Sequence, residues 1–276
     1  MLRGFYSAAS GMLAQQRQQE ALSNNLANST TPGYKADQST MRAFPELLMQ
    51  KMGSKEIPTQ SGGLKLPVNQ DIGSMNTGVY VQEEIPDFAQ GDIRETGILS
   101  DMALVNGNLP DEAGGLFFTV QGTDGEQRYT RNGNFTVDGQ GFLTTQSGNY
   151  VLDSTGNSIQ TGGMDFNVTE DGVLEAGGQA TPLGITYTDD VNQMVKDGGN
   201  LFRFEGEEGQ AVVNARAADG VTFSIQQNFL ERSNVDTSQT MVEMMNSYRL
   251  FETNQKVLKA YDQSMDKAVN EIARVR

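Results

Sequence analysis

Leu22-Ser23-Asn24-Asn25-Leu26-Ala27-Asn28-Ser29-Thr30-Thr31-Pro32-Gly33-Tyr34-Lys35 closes one helix and opens an extended path. Upstream, Leu2, Phe5, Ala9, Met12, Leu13, Leu22 and Leu26 recur at helical spacings. Asn28 to Thr31 supply four turn-forming residues, and Pro32-Gly33 cannot continue a helix. Thr31 precedes proline and is pushed towards an extended conformation. The pair Asn24-Asn25 is unusual inside a helix, because Asn side chains compete for backbone hydrogen bonds. Pairing with a neighbouring helix would account for it.

The spacing predicts a helix over residues 3–28, about 39 Å long. Gly4 and Gly11 lower its propensity, and the small residues Ser7, Ala8, Ala9, Ser10 and Gly11 let a neighbour approach closely. The other end of the chain answers it. Residues 229–276 contain no glycine and no proline. Asp236 to Ser238 offer N-cap candidates. Met241, Met244, Tyr248, Phe251, Gln255, Leu258, Asp262, Met265, Val269 and Ile272 then alternate spacings of three and four, a coiled-coil seam with polar Gln255 and Asp262 fixing register. A weaker stripe runs through Leu250, Val257, Tyr261 and Ala268, so more than one packing partner is expected. One seam buries too little to offset the ordering entropy of so long a helix.

Of the 31 glycines, 28 lie between residues 53 and 220. Residues 36–80 read as a connecting segment with a short helix at Pro45, where Phe44, Leu47, Leu48 and Met52 form one apolar face. Residues 81–228 read as all-β. Asn106-Gly107, Asp124-Gly125, Asn132-Gly133, Asp138-Gly139, Asp171-Gly172 and Asp219-Gly220 are hairpin-type pairs between short β-rich runs. No helical pattern separates the strands, which excludes a parallel α/β sheet. The fold class is therefore α+β: N- and C-terminal helices forming a coiled-coil-like pair, with an all-β middle domain. The domains are 1–35, 36–80, 81–228 and 229–276.

Charge is uneven. The chain is −15 overall, but residues 1–35 carry three basic and one acidic side chain, and 229–276 carry seven of each. Residues 36–228 hold ten basic and 27 acidic side chains, net −17. Such a surface repels nucleic acid. With no Cys and no His, disulfides, thiol chemistry and the commonest general base are excluded. No run approaches the ~18 apolar residues of a membrane span, and no cleavable signal is visible, so neither membrane insertion nor cleaved-signal secretion is expected.

Carboxylate pairs at Glu83-Glu84 or Asp189-Asp190 would point to opposite strand faces, which argues against joint catalysis. Calcium loops near Asp138-Gly139 or Asp171-Gly172 lack EF-hand spacing. Gly139-Gln140-Gly141 lacks a following helix and makes a poor nucleotide loop. No catalytic residue, cofactor or metal site is expected.

The two ends and the centre resemble the rod and hook proteins of the bacterial flagellum. Leu22 to Asn28 and Thr31 to Lys35 match that family's LSNNLAN and TPGYK runs. Tyr129-Thr130-Arg131-Asn132-Gly133-Asn134-Phe135 with Gly141-Phe142-Leu143 is similar to its Y-T-R-x-G-x-F…G-x-L core, although Asn106 to Glu112 look inserted. Leu230-Glu231-Arg232-Ser233-Asn234-Val235-Asp236 resembles its L-E-x-S-N-V-D run, and Tyr248 to Lys256 its R-x-Y/F-E-x-N-Q-K run.

The resemblance implies a structural rod subunit of the basal body. Its partners would be copies of itself, other axial proteins and the flagellar type III export apparatus. The implied assembly interface comprises Leu22, Asn24, Asn25, Leu26, Asn28, Pro32, Gly33 and Tyr34, then Leu230, Glu231, Ser233, Asn234, Val235 and Asp236. On the C-terminal helix it adds Met241, Met244, Tyr248, Phe251, Asn254, Gln255, Leu258, Met265, Val269 and Ile272. A hook or hook-associated protein, or a non-flagellar coiled-coil surface protein, is the alternative. The termini are expected to be loosely ordered in the free subunit and to fold as subunits stack.

Overall fold

In the computed structural model, which describes residues 2–59, 62–111, 113–206 and 212–272, the chain divides into two units. The first combines residues 1–23, 38–84 and 238–276; the second combines 24–37 and 85–237.

In the first unit, helix α1 (Leu2–Ala27) and helix α2 (Thr237–Lys267) pack antiparallel. A Cβ on Gly4 would overlap the Tyr261 ring, and one on Gly11 would lie 2.9 Å from the Asn254 amide nitrogen. Further along, the Ser247 hydroxyl donates to the Gln15 carbonyl at 3.1 Å. The glycines that lower helix propensity are thus the positions where α2 comes close.

The row of α2 that faces α1 is Thr240, Met244, Ser247, Phe251, Asn254, Leu258, Tyr261, Met265 and Ala268, all buried or half-buried. This corrects the expected seam at every second position. Met241, Tyr248, Gln255, Asp262 and Val269 are exposed, and the side chain of Ile272 lies outside the described residues. The shift has a steric reason. Where the helices come closest near Gly11 and Gln15 the α2 positions are Asn254 and Ser247, while the larger Tyr261 is admitted only where Gly4 leaves room for its ring. A five-residue π-type turn, Ala268–Ile272, follows α2.

Strands β1 (Asp37–Ala43), β2 (Leu47–Thr59), β3 (Gly62–Met75) and β4 (Val79–Pro86) form two two-stranded sheets, of which β2 with β3 is a hairpin. β1 pairs with β4, and β2 pairs with β3 along its length with one irregularity at Met49/Gln50. The short helix expected at Pro45 is absent: residues 44–46 are irregular and β2 begins at Leu47. An apolar run this short does not distinguish helix from strand by periodicity. The long ladder to β3 satisfies the backbone here, and the side chains of Leu47, Leu48 and Met52 lie outside the described residues.

The second unit is built on a six-stranded antiparallel sheet. Its spatial order is Met194–Lys196, Leu201–Phe204, Gln127–Thr130, Gly115–Gln121, Ile185–Thr188, Val213–Asn214. Gly115–Gln121 is central and buried on both faces. Leu116, Phe118 and Val120 enter the main core with Met102, Leu104, Phe135, Leu143, Val151 and Ile159. Phe117 enters a second cluster with Tyr129, Met194 and Phe202, against Phe88. This explains an apolar run without alternation.

Four turns share one construction. The side-chain oxygens of Asp138, Thr145, Asp153 and Thr169 accept the N–H of Phe142, Asn149, Asn157 and Val173 at 2.8, 3.1, 2.8 and 3.2 Å. The third residue on is Gly141, Gly148, Gly156 or Gly172, at φ of +86°, +84°, +90° and +72°. At Asp138-Gly139 the Asp138 Oδ1 is taken up by the Gln140 and Phe142 N–H groups, an Asx-type turn, whereas at Asp171-Gly172 the turn is closed by the Thr169 hydroxyl and not by Asp171.

Candidate functional site

Three charged residues, one from each matched stretch, meet in the interior of the second unit. Lys35, Arg131 and Glu231 are 1%, 3% and 2% exposed. The Lys35 ammonium donates to Glu231 Oε1 at 2.7 Å and to the Ala89 carbonyl at 2.7 Å. Arg131 Nε donates to Glu231 Oε2 at 2.8 Å. Its remaining N–H groups reach Asn106 Oδ1, the Leu116 carbonyl and the Leu104 carbonyl at 2.9, 2.8 and 2.8 Å. The Gly91 N–H adds a third donor to Glu231 at 3.0 Å. Buried charges persist only when paired and hydrogen-bonded in this way.

Backbone contacts bind the same stretches together. The Gly33 N–H donates to the Glu231 carbonyl at 2.9 Å. The Asn234 side chain accepts from the Ala36 N–H at 2.8 Å and donates to the Asp87 carbonyl at 2.8 Å. Cβ atoms on Gly91 and Gly133 would overlap the Arg232 and Met102 carbonyls. The lead out of α1 and the lead into α2 are thereby tied side by side.

A second layer explains the tandem asparagines. Asn25 does not pair with a helix. Its side chain accepts from the Asp37 N–H and donates to the Asp37 carbonyl, both at 2.8 Å, and accepts the Tyr34 hydroxyl at 3.0 Å. Lys196 covers Tyr34, 4.3 Å from its ring centre, and pairs with Asp37 at 2.7 Å. Asn24 is exposed; Asn28 donates to its side chain at 2.6 Å and accepts from Thr31 at 3.2 Å.

Of the implied interface residues, Leu22, Asn25, Gly33, Tyr34, Leu230, Glu231 and Asn234 make these internal contacts or are buried within the chain. Leu26, Pro32, Ser233 and Val235 are half-buried, and Asp236 is exposed. Lys35, Arg131 and Gly91 complete the cluster but were not singled out from the sequence. The available signal was that Lys35 and Arg131 are the only charged residues in Leu22–Lys35 and Tyr129–Phe135, and that Glu231 faces them from Leu230–Asp236.

Burial opposes ionisation of Glu231, but the Arg131 and Lys35 charges outweigh it and hold its pKa below the ordinary value. Burial is also the largest influence on Lys35, lowering its pKa, with Arg131 adding to that and Glu231 opposing it. A depressed carboxylate contributes stability that is present above its unfolded pKa and lost as pH falls through its folded pKa. Glu231→Gln is therefore expected to flatten the acid limb of a stability–pH curve below about pH 5. Calorimetry across that range checks it; an unchanged acid slope would remove Glu231 from the cause.

The cluster has no chemistry to offer a substrate, since every ionised group is spent on protein partners. Among the described residues, no three Asp or Glu side chains gather to hold a metal ion, and no helix is long and apolar enough to cross a membrane.

Known families match the same three stretches. Residues 5–35 match the flagella basal body rod protein family. Residues 113–176 match the flagellar hook protein FlgE/F/G D1 domain, and 226–271 the flagellar basal body rod FlgEFG protein C-terminal family. Over its full length the chain is 40% identical to the flagellar hook-basal body complex protein FlhO of Bacillus subtilis, covering all of that protein. It is 29% identical to the basal-body rod protein FlgG of the same organism, over 98% of this chain and 99% of FlgG. It is 28% identical to FlgF of Caulobacter vibrioides, over 94% of this chain and 93% of FlgF. Full-length similarity of this kind, carried by the stretches that build the buried cluster and the paired helices, places the chain in the flagellar hook-basal body rod family of structural axial subunits.

Proposed function

We propose that this chain is a rod subunit of the basal body, polymerising through its terminal helices into the shaft that links motor to hook. The supporting observation is the outward face of α2. Met241, Met245 and Tyr248, which share one side of the helix, are 50%, 54% and 59% exposed. An apolar face this continuous marks a contact surface. Head-to-tail contacts that do not close generate a filament. The α1/α2 pair would act as a short antiparallel coiled coil, with facing rows that alternate spacings of three and four. Export through the flagellar type III apparatus would deliver the subunit without a cleaved signal.

The buried cluster then serves a mechanical purpose. A shaft transmits torque through each subunit, so the second unit needs a stiff interior. A fully satisfied ionic network fixes one geometry.

The test deletes residues 1–23 or 238–276, which leaves the whole second unit intact. Each truncated protein is expected to keep its β structure by circular dichroism and to abolish hooks on isolated basal bodies. Normal hooks from both truncations would overturn the proposal. Labelled protein found only in the hook would favour a hook subunit instead.

A further inference from the structure

Pairing of α1 with α2 leaves a groove along one side of the helix pair. Gln19 and Ser23 of α1, with Met244, Met245, Tyr248 and Arg249 of α2, enclose about 450 Å³. Three of these six side chains are large and apolar, and Met245 and Tyr248 are more than half exposed. Gln19 Nε2 is buried without a hydrogen-bond partner among the described residues. Gln15 Oε1, one turn earlier on the same helix, is likewise buried without a partner, so the two amides lie within reach of each other and the apolar lining is what marks the groove.

The outer side of α1 carries the complementary pattern. Tyr6, Leu13 and Glu20 fall at intervals of seven residues, and Tyr6 and Leu13 are 64% and 59% exposed. Met241 and Tyr248 repeat at the same interval on the outer side of α2. Matching seven-residue periods let one helix follow another over several turns. The groove rim carries a cation, Arg249, and the α1 stripe ends in an anion, Glu20.

We propose that the groove seats Leu13 of α1 from a second copy of this chain, with that copy's Glu20 set against Arg249. Stripe and groove both lie on every copy, so the contact repeats from subunit to subunit. The Met pair suits the role, because thioether side chains adapt their shape to a neighbour. This assignment rests on the axial-subunit reading above and adds the register of the contact.

The absence of native cysteine makes the test clean. Full-length Leu13→Cys and Met245→Cys variants are produced together in the cells that make this protein, and isolated basal bodies are oxidised. A disulfide-linked species of twice the chain mass is expected only when both variants are present. No such species, or a link to a protein of another mass, overturns the proposal. Where a cysteine variant fails to assemble, charge exchange decides. Glu20→Arg and Arg249→Glu are each expected to reduce hook-bearing basal bodies by about tenfold, and their combination to restore them to within about twofold. Helicity of each soluble subunit should be unchanged, since both residues are exposed. Failure of the double variant to restore assembly removes this register. The axial-subunit reading falls separately, only if the helix truncations leave hooks intact.

Discussion

Replacing Glu231 by alanine is expected to destabilise the second unit by about 3–5 kcal/mol, the range for breaking a buried ion pair from one side. The cluster holds two cations and one anion. Removing the anion leaves Lys35 and Arg131 buried together with no counter-charge, and strands the Gly91 N–H as well. Lys35→Met is expected to cost less, because the Arg131–Glu231 pair it leaves behind is neutral. Arg131→Met should fall between, since the Leu104 and Leu116 carbonyls each lose an N–H donor, although Gln90 still reaches Leu104. The ranking, measured by thermal unfolding of the full chain, tests the charge argument independently of the absolute values. Lys35→Met matching or exceeding Glu231→Ala would show that simple charge balance does not govern the site.

Such a cluster is hard to see in a sequence. Lys35 and Glu231 are 196 positions apart, and Arg131 and Glu231 are 100 apart. Local patterns carry no information about which distant charge answers which. Features set by local physics were legible: the span of α1, the start of α2 and the glycine-rich β region all follow from periodicity and turn chemistry. The face of α2 was legible only in part. Apolarity pointed to Met241 and Tyr248, whereas closeness to Gly11 selected Asn254 and its neighbours by size. An apolar stripe marks a surface that will be covered without saying by what. In this chain the partner helix takes a row that mixes small residues with Phe251 and Tyr261, while Met241, Met245 and Tyr248 stay exposed. Residues 47–59 failed for a different reason, because their strand identity comes from a partner strand rather than from their own pattern.

Gly33→Ala is the sharpest test of how tightly the loop before Lys35 is packed against the end of the strand Gln127–Thr130. Gly33 has φ of +66°, and a Cβ there would lie 2.5 Å from the Arg131 carbonyl carbon and 2.5 Å from the Asn132 nitrogen. Those are backbone atoms of a core strand end and cannot swing aside. The left-handed conformation alone costs alanine about 1–2 kcal/mol. Gly220→Ala isolates that cost, since Gly220 has φ of +78° and open space around its Cβ position. Gly33→Ala is expected to exceed Gly220→Ala by at least about 1 kcal/mol, the excess measuring the overlap with Arg131. The damage should also reach the ionic cluster. Gly33 donates to the Glu231 backbone and lies two residues before Lys35, so a displaced loop draws the ammonium away from its carboxylate. Gly33→Ala and Glu231→Ala are accordingly expected to be less than additive, because each disables what the other relies on. Full additivity in thermal unfolding would mean that the loop and the ion cluster are held independently. The buried charges would then stabilise the β unit without setting the path of residues 31–35 within it.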